Sequence, residues 1–269
     1  MSVTYPLGFR AGGIQAGLRT TPGLDLALIV NDGPADVVAG VFTTNRVCAA
    51  PVQWSRHATA DHKARAVIVN AAVANACTGI DCFADCDITF SRVDSDACMS
   101  TNDTVVAMAS GASGISLTGD ELTDALTELC AILARQLVAD AEGSHHDVKV
   151  TVTGAISTEA AVAVAREVTR SNLVKTAIAG NDPNWGRILA AIGCVPENVA
   201  PFDPDQVDVS INDIQICKAG GIGEDRNLVD MRPREVHIDI ELHAGDAEAA
   251  VWTNDLTHQY VEENSAYTS

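Results

Sequence analysis

Positive charge is what this sequence has least of. Only four lysines, Lys63, Lys149, Lys175 and Lys218, join the arginines, and 17 basic side chains face 36 acidic ones in 269 residues, a formal net charge of −19. A surface of that sign repels phosphate backbones and anionic lipid headgroups, which argues against nucleic acid and membranes as partners. It offers no long-range attraction to an anionic substrate either, so a carboxylate ligand must be held by local donors in a cleft. Long apolar runs are also lacking. None approaches the roughly 20 residues that span a bilayer, and Met1-Ser2-Val3-Thr4-Tyr5-Pro6 shows no basic stretch leading into an apolar one. A cytoplasmic protein is the expectation. The common signatures are missing too: no G-x-G-x-x-G after a strand, no P-loop, no H-E-x-x-H and no G-x-S-x-G. Standard nucleotide-cofactor and hydrolase readings lose their support.

What is present is a full complement of core formers. At 47% hydrophobic residues the chain can bury one large core or two smaller ones. Its eight cysteines (Cys48, Cys77, Cys82, Cys86, Cys98, Cys130, Cys194, Cys217) are scattered, unlike the dense pattern of a small secreted disulfide scaffold, and they read as mostly buried thiols. Cys77, Cys82, Cys86 and Cys98 cluster in sequence, but no gap among them makes a C-x-x-C pair, so no metal site is assigned.

Apolar, partly β-branched runs at 24–30 and 37–43, separated by Asn31-Asp32-Gly33-Pro34, predict a hairpin. Residues 65–70 predict a strand leading into the small-residue stretch 71–79, and 80–99 shows no period. A strand at 104–109 precedes a capping box, Thr118-Gly119-Asp120-Glu121, which opens a helix to about Ala139 with a stripe of Leu122, Ala125, Leu126, Leu129, Leu133 and Leu137. A strand at 148–153, helices at 159–170 and 186–193, and strands at 207–211, 214–217, 236–242 and 249–252 follow. This order predicts mixed α+β layers rather than a regular βαβ winding.

Local chemistry leaves several readings open. Glu142 with His145 and His146 offers proton transfer or metal binding, but adjacent side chains diverge, which favours a solvated loop. Residues 100–104 (STNDT) read as a turn satisfying its own backbone. Residues 180–187 (GNDPNWGR) present either backbone N–H groups to a carboxylate or an ordinary helix entry. The polar end, 260–269, reads as a frayed tail.

Taken in order, the blocks GFRAGGIQAGLR (8–19), LDLALI (24–29), AGVFTTNRVCAAPV (39–52), RAVIVN (65–70) and ANACTG (74–79), followed by STNDTVVAMASGASG (100–114), ADAEG (139–143), LVKTAIAGNDPNWGR (173–187) and DLTHQYVEENSAYTS (255–269), resemble the ornithine acetyltransferase / N-acetylglutamate synthase family of arginine biosynthesis. The resemblance implies an αββα sandwich of the self-processing aminopeptidase type, commonly oligomeric. It implies a precursor whose newly exposed N-terminal threonine moves acetyl from N-acetylornithine to glutamate, with acetyl-CoA as donor in bifunctional members and no resident cofactor. Residues 1–86 resemble the family's N-terminal portion and 89–269 its C-terminal portion, folded as one intertwined domain or two packed lobes.

One departure bears on activity. Between about Asp85 and Thr89 the chain passes directly from one portion to the other. The family's Ser-Thr-Gly oxyanion motif, its Thr-Thr-Asp and Lys-Gly motifs and the Ala-Thr-Met-Leu cleavage site with its nucleophile are all missing. Losing a single oxyanion donor typically costs about 10²–10³ in rate. The expectation is therefore an acetyltransferase relative with no catalytic residue of its own. Three substrate positions carry over by resemblance, Glu142, Asn264 and Ser269. Ser144-His145 stands where the family usually has Thr-Lys, and Asn70-Ala71-Ala72-Val73 where it has Asn-Ser-Gly-Asn. Thr101 and Thr104 are the hydroxyls available as substitute nucleophiles, but neither begins a chain and so neither has a free α-amine as base. Expected partners are N-acetylornithine, glutamate, and a second copy or a complete homologue. No metal is expected.

Overall fold

The computed structural model describes residues 2–18, 22–71 and 89–266. The chain divides into two compact units, one comprising Met1–Cys86, Met99–Ala125 and Ser269, the other Asp87–Cys98 and Leu126–Thr268.

In the first unit β1 (Phe9–Ile14), β2 (Leu26–Asn31), β3 (Val37–Phe42), α1 (Ala50–Ala58), β4 (Ala66–Asn70) and β5 (Thr104–Ala109) follow in chain order. The expected hairpin does not form. β2 pairs antiparallel with β1 and β4, whereas β3 pairs antiparallel with β5. The cause is the intervening turn, which is bonded to the chain at the end of β5. Ala35 N–H donates to the Ser110 carbonyl at 2.8 Å, and the Asn31 amide donates to the carbonyls of Ala35 and Ala109. Gly33 lies so close that a Cβ there would meet the Ser110 oxygen at 2.4 Å. β3 is thereby steered away from β2. α1, which begins with a proline in its first turn, closes a small cluster of Phe42, Cys48, Ala49 and Val52. Residues 100–104 form the self-satisfying turn expected of them, with Asn102 N–H on the Ser100 hydroxyl and the Thr104 hydroxyl on the Asn102 carbonyl.

Among the described residues, the β1–β2–β4 sheet has an exposed apolar face. Register places Leu28 opposite Gly12 and Ile68, and Ile14 opposite Leu26, so Ile14, Leu28 and Ile68 share one side. Ile68 is 72% exposed and Ile14 59%.

In chain order the rest comprises α2 (Gly119–Ala139), β6 (Asp147–Ala155), α3 (Thr158–Arg170), α4 (Asn172–Ala179), α5 (Trp185–Ile192), β7 (Asp208–Ile211), β8 (Ile214–Lys218), β9 (Gly221–Ile222), β10 (Glu235–Glu241), β11 (Ala247–Asn254) and α6 (His258–Ser265). The capping box at the start of α2 forms as read, with Thr118 N–H on the Glu121 carboxylate and Glu121 N–H on the Thr118 hydroxyl. The leucine stripe of α2 stays in solvent from Leu122 to Leu137, and the side chains it buries are Ala134 and Val138 on the neighbouring face.

The second unit's sheet has the order β11-β6-β10-β7-β8-β9, with β6 and β10 parallel and the other neighbours antiparallel. Alternation sends Val148, Val150, Val152, Val236, Ile238, Ile240 and Val251 to one face, where α3 and α5 cover them. Lys149, Thr151, Thr153, His237, Asp239 and Glu241 take the other face. Register puts Val150 beside both Ile238 and Val251, so the centre of β6 is also the centre of the core. α6 occupies residues read as a frayed tail. Its first turn is capped by the Thr257 hydroxyl, which accepts from Tyr260 N–H and donates to the Gly143 carbonyl at 2.6 Å.

The cysteines are less buried than expected. Of the five described, Cys48 and Cys217 are buried, while Cys98 and Cys194 are exposed; Cys77, Cys82 and Cys86 lie outside the described residues. Among the described residues no helix is long and apolar enough to cross a membrane, and no three His, Cys, Asp or Glu side chains are grouped to hold a metal.

Ile238 is fully buried at the heart of the sheet. Ile238→Ala is expected to lower unfolding stability by about 3 kcal/mol, read as a shift in the urea midpoint with little change in slope.

Candidate functional site

At one end of the second unit four segments converge: the irregular chain after Arg92, the loop following α2, the α3–α4 junction, and the turn from β11 into α6. They enclose a pocket of about 90 Å³ whose walls include Asp96, Glu142, Arg170, Lys175, Asp255 and Tyr260. That space admits the polar end of a small molecule.

Lys175 lies in α4 between the apolar side chains Val174 and Ala177, and packing of that helix drives it inward to 6% exposure. Its ammonium donates to the Ser95 carbonyl and, at 3.1 Å, to the Thr253 hydroxyl, which in turn donates to the Asp94 carbonyl at 2.7 Å. Burial pulls the Lys175 ammonium down to about 8 from its ordinary 10.5, against the opposing pull of Asp94, Asp255 and Asp96. Asp94 is itself held by Arg170 Nε at 2.7 Å. Asp255 accepts from the N–H groups of both His145 and His146 and from the His146 ring. Asn254 donates to the carbonyls of Val138 and His146, which ties the loop after α2 to the end of β11.

Around this centre the carboxylates of Asp94, Asp96, Glu142 and Asp255 outnumber the cations of Arg170 and Lys175. Glu142 and Asp96 are exposed at its rim. Such a charge balance suits an ammonium-bearing ligand, with the Lys175 and Arg170 side for a carboxylate. Two aliphatic hydroxyls stand in the pocket wall, those of Ser95 and Thr169. The Ser95 hydroxyl donates to the Asn254 amide oxygen at 2.5 Å, and the Thr169 hydroxyl lies 3.0 Å from the Arg166 carbonyl and 3.4 Å from the Asp94 carboxylate.

Of the three substrate positions carried over by resemblance, Glu142 lines this pocket. Asn264 is exposed on α6, its amide donating to the Tyr260 carbonyl at 3.0 Å. Ser269 lies outside the described residues, as do 72–88, where most of the small-residue stretch and the junction fall. One local reading changes. His145 is exposed, but His146 is buried against Asp255, so the pair does not form a solvated loop. Residues 180–184 form the turn between α4 and α5, the ordinary helix entry that is one of the two readings: Asn184 caps α5 through Arg187 N–H, and Arg187 reaches back to the Leu173 carbonyl. They do not line the pocket. Lys175 and Asp255 escaped the sequence reading. The signal was a lysine placed at a buried phase of an otherwise apolar helix, and an aspartate directly after a strand.

These features describe an α+β protein of the αββα class. A model described as the ArgJ family matches residues 10–89 and 82–269. The arginine biosynthesis bifunctional protein ArgJ of Bifidobacterium longum (strain NCC 2705) is 40% identical over 391 aligned positions, covering 100% of both chains. The protein of the same description from Thermobifida fusca (strain YX) is 36% identical over 386 positions, again covering 100% of both. A crystal structure of the arginine biosynthesis bifunctional protein from Bacillus halodurans superposes with a TM-score of 0.62 at 35% identity, covering 68% of this chain and 89% of that one. The chain belongs to the ArgJ family. The 269 residues spread over 391 positions leave well over a hundred in the Bifidobacterium protein without a counterpart, and the two matched segments meet at 82–89, where the gap falls.

Lys175 makes stability depend on alkaline pH. Its folded value lies below its unfolded one, so between about pH 8 and 10.5 the unfolded chain binds more protons and stability rises with pH. The cost of burying the charge is present in full below that window, at roughly 3 kcal/mol. Urea unfolding from pH 8 to 10 is expected to show this rise in the parent chain and to lose it in Lys175→Met.

Proposed function

We propose that this chain is a catalytically silent member of the ArgJ family that retains a pocket for the amino-acid end of an ornithine-type ligand. The observation that carries the reading is the break in the family match at 82–89. The segment missing there is the one in which the resemblance places nucleophile and oxyanion donors. Asp96 and Glu142 take the ligand's ammonium, and Lys175 with Arg170 balances its carboxylate. Asn264 and Ser269 remain assigned to the substrate by resemblance alone. The reading gives the protein no cofactor and places it in the cytoplasm; acetyl-CoA enters only as an acyl donor to be tried.

Purified chain is expected to transfer no acetyl from N-acetylornithine or acetyl-CoA to glutamate, with the Bifidobacterium longum relative as positive control. Transfer above background would show that another nucleophile has been recruited. Calorimetry is expected to detect ornithine binding that weakens about tenfold in Glu142→Gln. No heat from well-folded protein would sink the pocket assignment.

A second reading has its own support, the bare apolar face of β1–β2–β4 and the exposed leucines of α2. Apolar surface left in water favours association with another chain. A non-catalytic subunit pairing with a complete homologue is the form this takes. Co-expression with a complete family member is expected to yield a complex on this reading, and two independently eluting proteins would dismiss it.

A further inference from the structure

The loop bearing Glu142 is fastened in a way that ligand binding alone does not require. Asp255, 2% exposed, accepts from His145 N–H at 2.9 Å, from His146 N–H at 3.0 Å, and from His146 Nδ1 at 2.8 Å. On the far side of the same ring, Nε2 is 3.0 Å from the carbonyl oxygen of Met231, in a residue that is also buried. A carbonyl oxygen and an ionised carboxylate can only accept. Both contacts are therefore hydrogen bonds at once only when both ring nitrogens carry protons. With a single proton, the carboxylate is the stronger acceptor and keeps Nδ1–H. The bare Nε2 then faces the Met231 oxygen, lone pair against lone pair, out of reach of water.

The ring sits where such a change reaches the pocket. The tight turn with Glu142 at its second position is held on one side by Ser144 N–H on the Ala141 carbonyl. On the other it is held by the Thr257 hydroxyl on the Gly143 carbonyl. Gly143, at φ +60°, lies against α6 so tightly that a Cβ there would meet Tyr260 N at 2.4 Å. Asp255 is the third fixing, and the His146 ring is the part of it that can gain or lose a proton. Charged groups stand on the segments around it: the Asp230–Arg232 ion pair flanks Met231. Lys175 of α4 is close enough to feel Asp255, Arg234 ahead of β10 bridges Asp147 and the Ser144 hydroxyl, and Glu142 lies four residues back.

We infer that His146 and Asp255 form a proton-operated clamp that sets the position of Glu142 and so regulates the affinity of the pocket. This rests on the reading of that pocket as an ammonium site. The doubly protonated ring draws the Met231 segment, the turn and the end of β11 together. Loss of one proton releases the Met231 side and loosens the turn. His146 and Asp255 are positioning residues here, acting on the ligand through Glu142.

The test is a long-range ¹H–¹⁵N correlation experiment on the whole chain. Across a pH titration His146 is expected to show two slowly exchanging ring N–H protons on the acid side and only Nδ1–H on the alkaline side. The Glu142 backbone amide is expected to shift with the same midpoint, and ornithine affinity by calorimetry to fall at least about fivefold across it. In Asp255→Asn and His146→Gln, checked for folding by thermal melting, the pH step in affinity is expected to vanish. A His146 ring with one proton throughout, or a Glu142 amide indifferent to its titration, overturns the clamp. Should ornithine fail to bind at any pH, the ammonium-site reading falls, while the ring and amide signals still decide whether the clamp exists.

Discussion

The buried face of the six-stranded sheet can stay dry only if the polar ends of its strands are answered by the segments that leave them, and the end of β11 is where this is done most densely. Thr253, Asn254 and Asp255 are consecutive and all buried, and their side chains bond, respectively, to the chain at Asp94, to Val138 and His146, and to His145 and His146. Unpaired, such groups would each cost about 1–3 kcal/mol, more if charged. The strand is thus committed to holding two distant segments in place, and the pocket is the space they leave. Lys175 completes the arrangement, since its buried ammonium is tolerable beside three aspartates and they beside it.

The pocket and the gap fall in different stretches of the chain. The elements that define the pocket, from the chain after Arg92 through α3, α4, β11 and α6, all lie on the C-terminal side of the gap. They are bonded to one another within this chain. Acyl transfer needs a nucleophile and oxyanion donors in register with the ligand. Apolar side chains on β1, β2, β4 and α2 stand exposed among the described residues.

The sequence by itself determined the family, through blocks quoted in order from Gly8 to Ser269, and with it the α+β class and the location of the gap. It also determined most of the regular elements, because period-2 alternation in β6, β7, β8, β10 and β11 and the capping box of α2 are local signals written in neighbouring residues. Glu142 stood out locally beside His145 and His146, but its assignment to the substrate came by resemblance alone. Tertiary structure alone decided the rest. Which strands pair is a non-local choice: β2 and β3 look like a hairpin until the bonds from the 31–35 turn to Ala109 and Ser110 send them to different sheets. Whether an apolar stripe is buried depends on what lies opposite, so the leucines of α2, correctly phased, still stand in water. Whether a polar residue is a loop decoration or a buried anchor depends on partners a hundred residues away, as with His146 and Asp255. A sequence records the donors and acceptors a chain owns; folding decides which of them meet without water between them.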